Sequence, residues 1–208
     1  MGECMSGRQN AEDRKSQIIA EVLRLADEIG PDRLSTTHVA RAVGLSPPAI
    51  FRHFPTKGAL WLAVAENVAA RLPDAWTSAE ACAGTSEARL RALIRAQLNA
   101  IADIPALPSI LFSRELQVDN PPLRDVFHRV LGRFQARLVA AIRDQQAEGS
   151  LSLDVSAEDV AMLLTALVQG VAIRWTLGAR GFRVVEEGLR LFDVQMALLR
   201  KREDVSHG

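Results

Sequence analysis

Tyrosine is absent from this chain of 208 residues, and seven phenylalanines with three tryptophans bring the aromatic share to only 5%. Cysteine occurs twice, as Cys4 and Cys82, at neither CxxC nor metal-ligand spacing. That excludes a disulfide framework and a cysteine metal site, and leaves free thiols of a reducing compartment. Charge of either sign is not in excess, with 25 basic residues against 25 acidic ones. A zero balance argues against a strongly non-specific polyanion binder, although a local basic face needs no net charge. The opening stretch MGECMSGRQNAEDRKSQ has no apolar core, so no signal peptide is expected. The apolar run 160–173 is short for a membrane span and contains Gln169, so a buried helix is expected there. Glycine-rich phosphate loops, HExxH and the nucleophile elbow are all missing. His38 and His53 fall in one motif, while His128 and His207 are isolated. No enzyme activity, cofactor or metal is expected.

What the chain does have is a core. Hydrophobic residues make up 48% and charged residues 24%, the balance of a soluble globular protein. Strict two-residue alternation is scarce and spacing of three and four dominates, which predicts an all-α fold. A polar tail is expected over 1–12 and another over 203–208. An apolar stripe of Ile18, Ile19, Val22, Leu23, Leu25, Ala26 and Ile29 predicts a first helix over 13–29, stopped by Gly30-Pro31. A helix over 56–72 is expected to break at Pro73, with 73–86 a loop or short helix near the domain boundary. Further helices are expected over 87–104, 109–118, 123–147, 156–177 and 182–201.

Between the first helix and the one at 56 lies TTHVARAVGLSPPAIFRHFP, residues 36–55. It predicts two short helices, 36–43 and 47–54, meeting at a tight turn. Val39, Ala40 and Val43 share a face of the first. Gly44 stands where a left-handed backbone favours glycine. Leu45 plugs the turn, Ser46 caps the second helix, and Pro47-Pro48 occupy first-turn positions that need no amide donor. Ile50 faces back toward Ala40 and Val43. Small residue, glycine four later and branched aliphatic six after that form the helix-turn-helix pattern.

The following residues sharpen it. IFRHFPTKGALWLAV resembles the signature of the TetR family of bacterial transcription regulators, carried here by Phe51, Arg52, His53, Phe54, Lys57 and Leu60. The resemblance covers about residues 14–66; beyond it the chain matches as an all-helical C-terminal domain. Two departures stand out. The family often has a tyrosine at the place of Phe51, whose hydroxyl reaches a phosphate, and phenylalanine makes no such bond. It also often has Gly-Thr or Gly-Ser before the aliphatic of the recognition helix. Here Pro47, Pro48 and Ala49 leave fewer polar groups to read bases.

What the resemblance implies is a helix-turn-helix DNA-binding domain at 13–60 and a helical ligand-binding and dimerisation domain at 61–202. Ser35, Thr36 and Thr37 would donate to phosphate from one side of the groove, with Ser46 and Lys57 on the other. Arg52 and His53 lie near the end of the recognition helix, where backbone contact is expected, and Pro47, Pro48, Ala49 and Phe51 complete the DNA-binding set. A lysine in the first turn of a helix opposes the macrodipole, which a nearby phosphate would offset.

Polar side chains on apolar stripes mark the expected effector pocket. Gln97 is in line with Leu90, Ile94 and Ile101, and Arg174 lies seven residues after Leu167. With Phe112, Glu115, Phe127 and Trp175 they suit a mostly hydrophobic ligand with one polar or acidic group; an internal Arg174–Glu115 ion pair is the competing account. Val185, Leu189, Phe192 and Met196 follow a 4-3-4 spacing, and Val160, Leu164, Leu167 and Val171 a similar one. Two such helices from each of two copies would form a four-helix dimer interface. The expected protein is a cytoplasmic homodimer that binds a pseudo-palindromic operator in double-stranded DNA and releases it on binding a small-molecule effector. The alternative is a ligand-independent structural or nucleoid-associated DNA-binding protein on the same dimer.

Overall fold

Helices account for every regular element among residues 3–200, the part that this computed structural model describes, with side chains described from residue 11 onward. The expected tail at 203–208 and the thiol of Cys4 lie outside the described residues. Cys82 is a free, exposed thiol. Ten helices follow in order: α1 (Glu3–Ile29), α2 (Thr36–Ala42), α3 (Pro47–His53), α4 (Lys57–Ala81), α5 (Ser86–Asp103), α6 (Leu107–Phe112), α7 (Arg114–Asp119), α8 (Pro121–Ala147), α9 (Ala157–Leu177) and α10 (Val184–Leu199). The all-α expectation is correct. The chain divides into two compact units, Met1–Arg71 with Ile104–Arg129, and Leu72–Asp103 with Val130–Gly208.

In the first unit, α1 buries Ile18, Ile19, Val22, Leu25 and Ala26, the expected stripe. It begins at Glu3 rather than near residue 13, so the polar stretch before 13 is helical from that point. It ends at Gly30, which has φ of 83° and donates its N–H to Ala26 O at 3.1 Å. The helix α6 packs on α1. The expected single helix at 109–118 is two, separated at Ser113, whose hydroxyl accepts from Leu116 N at 3.1 Å and so caps α7. The same hydroxyl donates to Asp32, in the turn between α1 and α2. A serine that caps a new helix and bonds a distant carboxylate is what breaks the run.

In the second unit, Pro73 does not end α4, which continues to Ala81. Proline removes one intrahelical donor, leaving the Ala69 carbonyl without its i+4 partner. Trp76 offsets the loss. It is fully buried, tilts against Phe134 with ring centroids 5.1 Å apart, lies under Arg137, and donates Nε1–H to Gln97 Oε1 at 3.0 Å. Burying an indole with its N–H satisfied outweighs a bond or two of helix. The helix α9 is long and apolar enough to cross a membrane, which the length argument from 160–173 does not anticipate. One face of it is nevertheless packed within the unit, where Val160, Ala161, Leu164, Val168, Val171 and Trp175 are buried. The α9–α10 turn places Ala179 and Arg180, rather than its flanking glycines, at positive φ of 48° and 60°.

The helices α5 and α10 pack on each other. A Cβ at Gly188 would lie 2.6 Å from Leu98 Cδ1 and 2.7 Å from Cδ2. Leu98 is fully buried, so its methyl groups have no free volume to move into. Gly188→Ala should therefore lower stability by about 1–3 kcal/mol, and by less in a Leu98→Ala background, where the space is open. Melting the four proteins of that cycle tests it; equal losses in both backgrounds would show that the contact is not the cause.

Candidate nucleic-acid interface and effector residues

The α2–α3 corner is closed by backbone bonds that need Gly44. Leu45 N–H reaches Ala40 O at 2.8 Å and Gly44 N–H reaches Arg41 O at 3.3 Å, a Schellman pair with Gly44 at φ of 68°. Before α2, Ser35 Oγ accepts from His38 N–H at 3.3 Å while His38 Nδ1 accepts from Ser35 N–H at 3.4 Å. This is a capping box with histidine in the place of glutamate. His38 is exposed beside the exposed Thr37. The S-x-x-H spacing was the available signal for His38, and the expected contact set omits it.

The outer side of the corner carries most of the residues expected there. Thr36 is half-buried, as is Ser35; Thr37, Ser46, Pro47, Pro48, Phe51, Arg52 and Lys57 are exposed, and His53 is half-buried. The expected cap by Ser46 is corrected: it stands at the N-cap of α3 without a side-chain cap bond, and it is exposed. Thr56 Oγ1 accepts from Ala59 N at 3.0 Å and starts α4, which presents Lys57 in its first turn. Ala49 is corrected: it is only 7% exposed, because at 100° per residue it falls with Ile50 on the face turned to α2.

The six effector candidates divide between the units. Gln97, Arg174 and Trp175 belong to the second, Phe112, Glu115 and Phe127 to the first. Gln97 is half-buried with its carbonyl taken by Trp76. Arg174 is exposed, against the expectation of a buried guanidinium. It sits at the margin of the buried stripe of α9, its guanidinium 5.8 Å over the Phe182 ring. Arg190, bonded to Glu187, holds that carboxyl below its ordinary range, with a smaller contribution from Arg174. Glu115 and Phe112 are exposed; Phe127 and Trp175 are buried. Two groups that sequence reasoning missed lie on α4 in the first unit. Trp61 Nε1–H and the half-buried Asn67's Oδ1 are enclosed without a hydrogen-bond partner among the described residues. An unpaired buried donor costs about 1–3 kcal/mol and calls for an explanation.

The expected dimer stripes are also corrected. Val160, Leu164, Val171, Leu189, Phe192 and Met196 are buried inside one chain, and Leu167 and Val185 half-buried, leaving little surface for a second copy. The opposite face of α9 is apolar as well, with Met162, Leu163, Ile173 and Leu177 exposed around Ala166 and Gly170. On α10, Val194 and Leu198 are exposed. These two helices pack on each other.

Comparison with known proteins gives the same outline. Residues 18–64 match the family described as bacterial regulatory proteins, tetR family. Residues 86–192 match the C-terminal family of BetI-type transcriptional repressors. The nucleoid occlusion factor SlmA of Vibrio atlanticus is 25% identical over 195 residues, covering 94% of this chain and 97% of that protein. Among solved structures, a putative transcriptional regulator from Saccharomonospora viridis in complex with choline superposes with a TM-score of 0.80 at 23% identity, covering 92% of this chain and 100% of that one. The regulator FadR from Bacillus subtilis, in complex with stearoyl-CoA, does so with a TM-score of 0.74 at 14% identity, covering 88% and 97%. A capped helix-turn-helix on an all-helical body, matched by both families over consecutive stretches, makes this chain a member of the TetR family of DNA-binding transcription regulators.

Proposed function

We propose that the chain is a cytoplasmic homodimeric repressor that leaves a pseudo-palindromic operator when a small molecule binds. The observation that carries the DNA contact is the sorting of the corner. Ala40, Ala49 and Ile50 are buried, while donors and cations at Thr37, Ser46, Arg52 and Lys57 are exposed around them. One such motif covers little DNA, and a two-fold dimer doubles it. The exposed apolar faces of α9 and α10 are the surface we assign to that dimer. Gly170 at its middle has open space where a side chain would stand, which lets a second helix come close.

For the effector we assign weight to the first unit. Trp61 offers an unpaired donor and Asn67 an unpaired acceptor, and the buried Phe127 belongs to the same unit. Gln97 and Arg174 already have protein partners. The fold is one in which solved proteins hold choline and stearoyl-CoA, so these are the first probes. A second reading follows from the similarity to SlmA along nearly the whole chain: a nucleoid-associated role without an effector. Mapping bound sites in cells against transcripts in a deletion strain separates the two. Repression requires transcripts to rise beside bound sites; widespread binding with unchanged transcripts would favour the nucleoid role.

Lys57→Ala should weaken binding to the DNA flanking its own gene and to random duplex alike, and lower the salt slope by about one. An unchanged slope would remove Lys57 from the interface. Arginine at both Leu163 and Ile173 should leave the fold intact and give monomers in light scattering with loss of operator binding. The neighbouring Leu164→Arg should instead unfold the chain, because it is fully enclosed. A persistent dimer of the double variant would place the seam elsewhere.

A further inference from the structure

We infer that the recognition helix α3 selects its operator by apolar contact with thymine methyl groups, through Pro47, Pro48 and Phe51, rather than by hydrogen bonds to base edges. The inference rests on the DNA-binding reading and concerns how that same site reads sequence. At 100° per residue, Pro47, Phe51 and Pro48 fall on one face of α3 in that angular order, with Arg52 at its margin. All four are exposed, Phe51 to 42%, while Ala49 and Ile50 turn inward. The part of the helix left to meet a groove is therefore a contiguous apolar patch.

Donors are scarce there for a second reason. Prolines at the first two positions of α3 remove two backbone N–H groups that the first turn would otherwise present. Only the Ser46 hydroxyl, Arg52 and the half-buried His53 remain polar on this element. The cations Arg52 and Lys57 lie at its end and just beyond, which suits phosphate contact and fixes the occupant of the patch as DNA.

In the major groove the edges of guanine, cytosine and adenine are polar, and thymine alone presents a methyl group. A pyrrolidine or phenyl ring pressed on a polar edge strips it of water and returns no hydrogen bond. The same ring on a methyl group gains contact area. Thymine is thus favoured directly and its competitors are disfavoured by desolvation.

The test uses a duplex recovered by selecting a random pool with the full-length protein, in which each thymine is replaced singly by deoxyuridine. Pairing is unchanged and only the methyl group is lost. At one or two positions in each half-site, affinity should fall about fourfold, the transfer free energy of one methyl group. Phe51→Ala or Pro48→Ala should bring that thymine-to-uracil ratio toward one at the position it serves. Lys57→Ala should lower affinity while keeping the ratio. Insensitivity of every position to uracil, with tight binding retained, overturns the inference and leaves the regulator reading standing. So does a ratio that survives both Phe51→Ala and Pro48→Ala. Failure to enrich any sequence overturns the DNA-binding reading itself. A change of oligomeric state in Phe51→Ala with an unaltered ratio would assign the patch to protein contact and overturn the inference.

Discussion

The hydrogen bond from Leu45 N–H to the Ala40 carbonyl closes the corner on which the DNA-binding surface depends. Helices of seven residues such as α2 and α3 are below the length at which a helix persists alone. They hold because the turn fixes their crossing and because Val39, Ala40, Ala49 and Ile50 are buried together with the stripe of α1. A left-handed residue is required at Gly44, and a Cβ there would meet no neighbour, so the requirement is conformational rather than steric. Everything exposed on α3, and hence the chemistry offered to a groove, follows from which residues this closure turns inward.

The turn glycine and the apolar spacing of that corner were legible in the sequence, since both operate within about two turns of helix. Its caps were not: the expected Ser46 cap is absent, and the Ser35–His38 box stands before α2 instead. Errors occur where distant residues decide. Pro73 reads as a helix end until Trp76 is seen buried against Phe134 and bonded to Gln97. The run 109–118 reads as one helix until Ser113 is seen bonded to Asp32, 81 residues away in the chain. Ala49 was placed on the DNA side because the recognition helix was treated as a whole; its face follows from the position of Ile50 beside it. Among effector candidates, spacing could not reveal that Gln97 has a partner or that Trp61 lacks one.

The dimer stripe shows a different limit. Periodicity finds the most hydrophobic face of a helix, and in α9 and α10 that face is used by the chain's own core. A helix apolar on two sides carries a second message that a single stripe hides. With α9 long and apolar enough to resemble a membrane span, the surplus lies opposite the core, at Met162, Leu163, Ile173 and Leu177. Leaving such a face in water opposes the hydrophobic effect, and covering it with the same face of a second copy removes it from solvent on both partners.

The arrangement of the first unit bears on how an effector would act. Residues 104–129 are far along the chain from the helix-turn-helix, yet they belong to one compact unit with it. Ser113 bonds Asp32 just ahead of the α2 cap, and a Cβ on Gly58 would stand 3.0 Å from Asn120 Oδ1, one residue after Lys57. The joints on either side of α7 thus touch both ends of the DNA-binding corner. A ligand changes operator affinity only by the difference in its own affinity for two arrangements of the protein. Groups within this unit can supply that difference directly, because any rearrangement of 104–129 must either carry the corner with it or break these contacts. Trp61 and Asn67 lie on α4 in the same unit, four and ten positions beyond Lys57 in sequence. A ligand that satisfied them would therefore act on the helix that also presents the exposed Lys57 in its first turn.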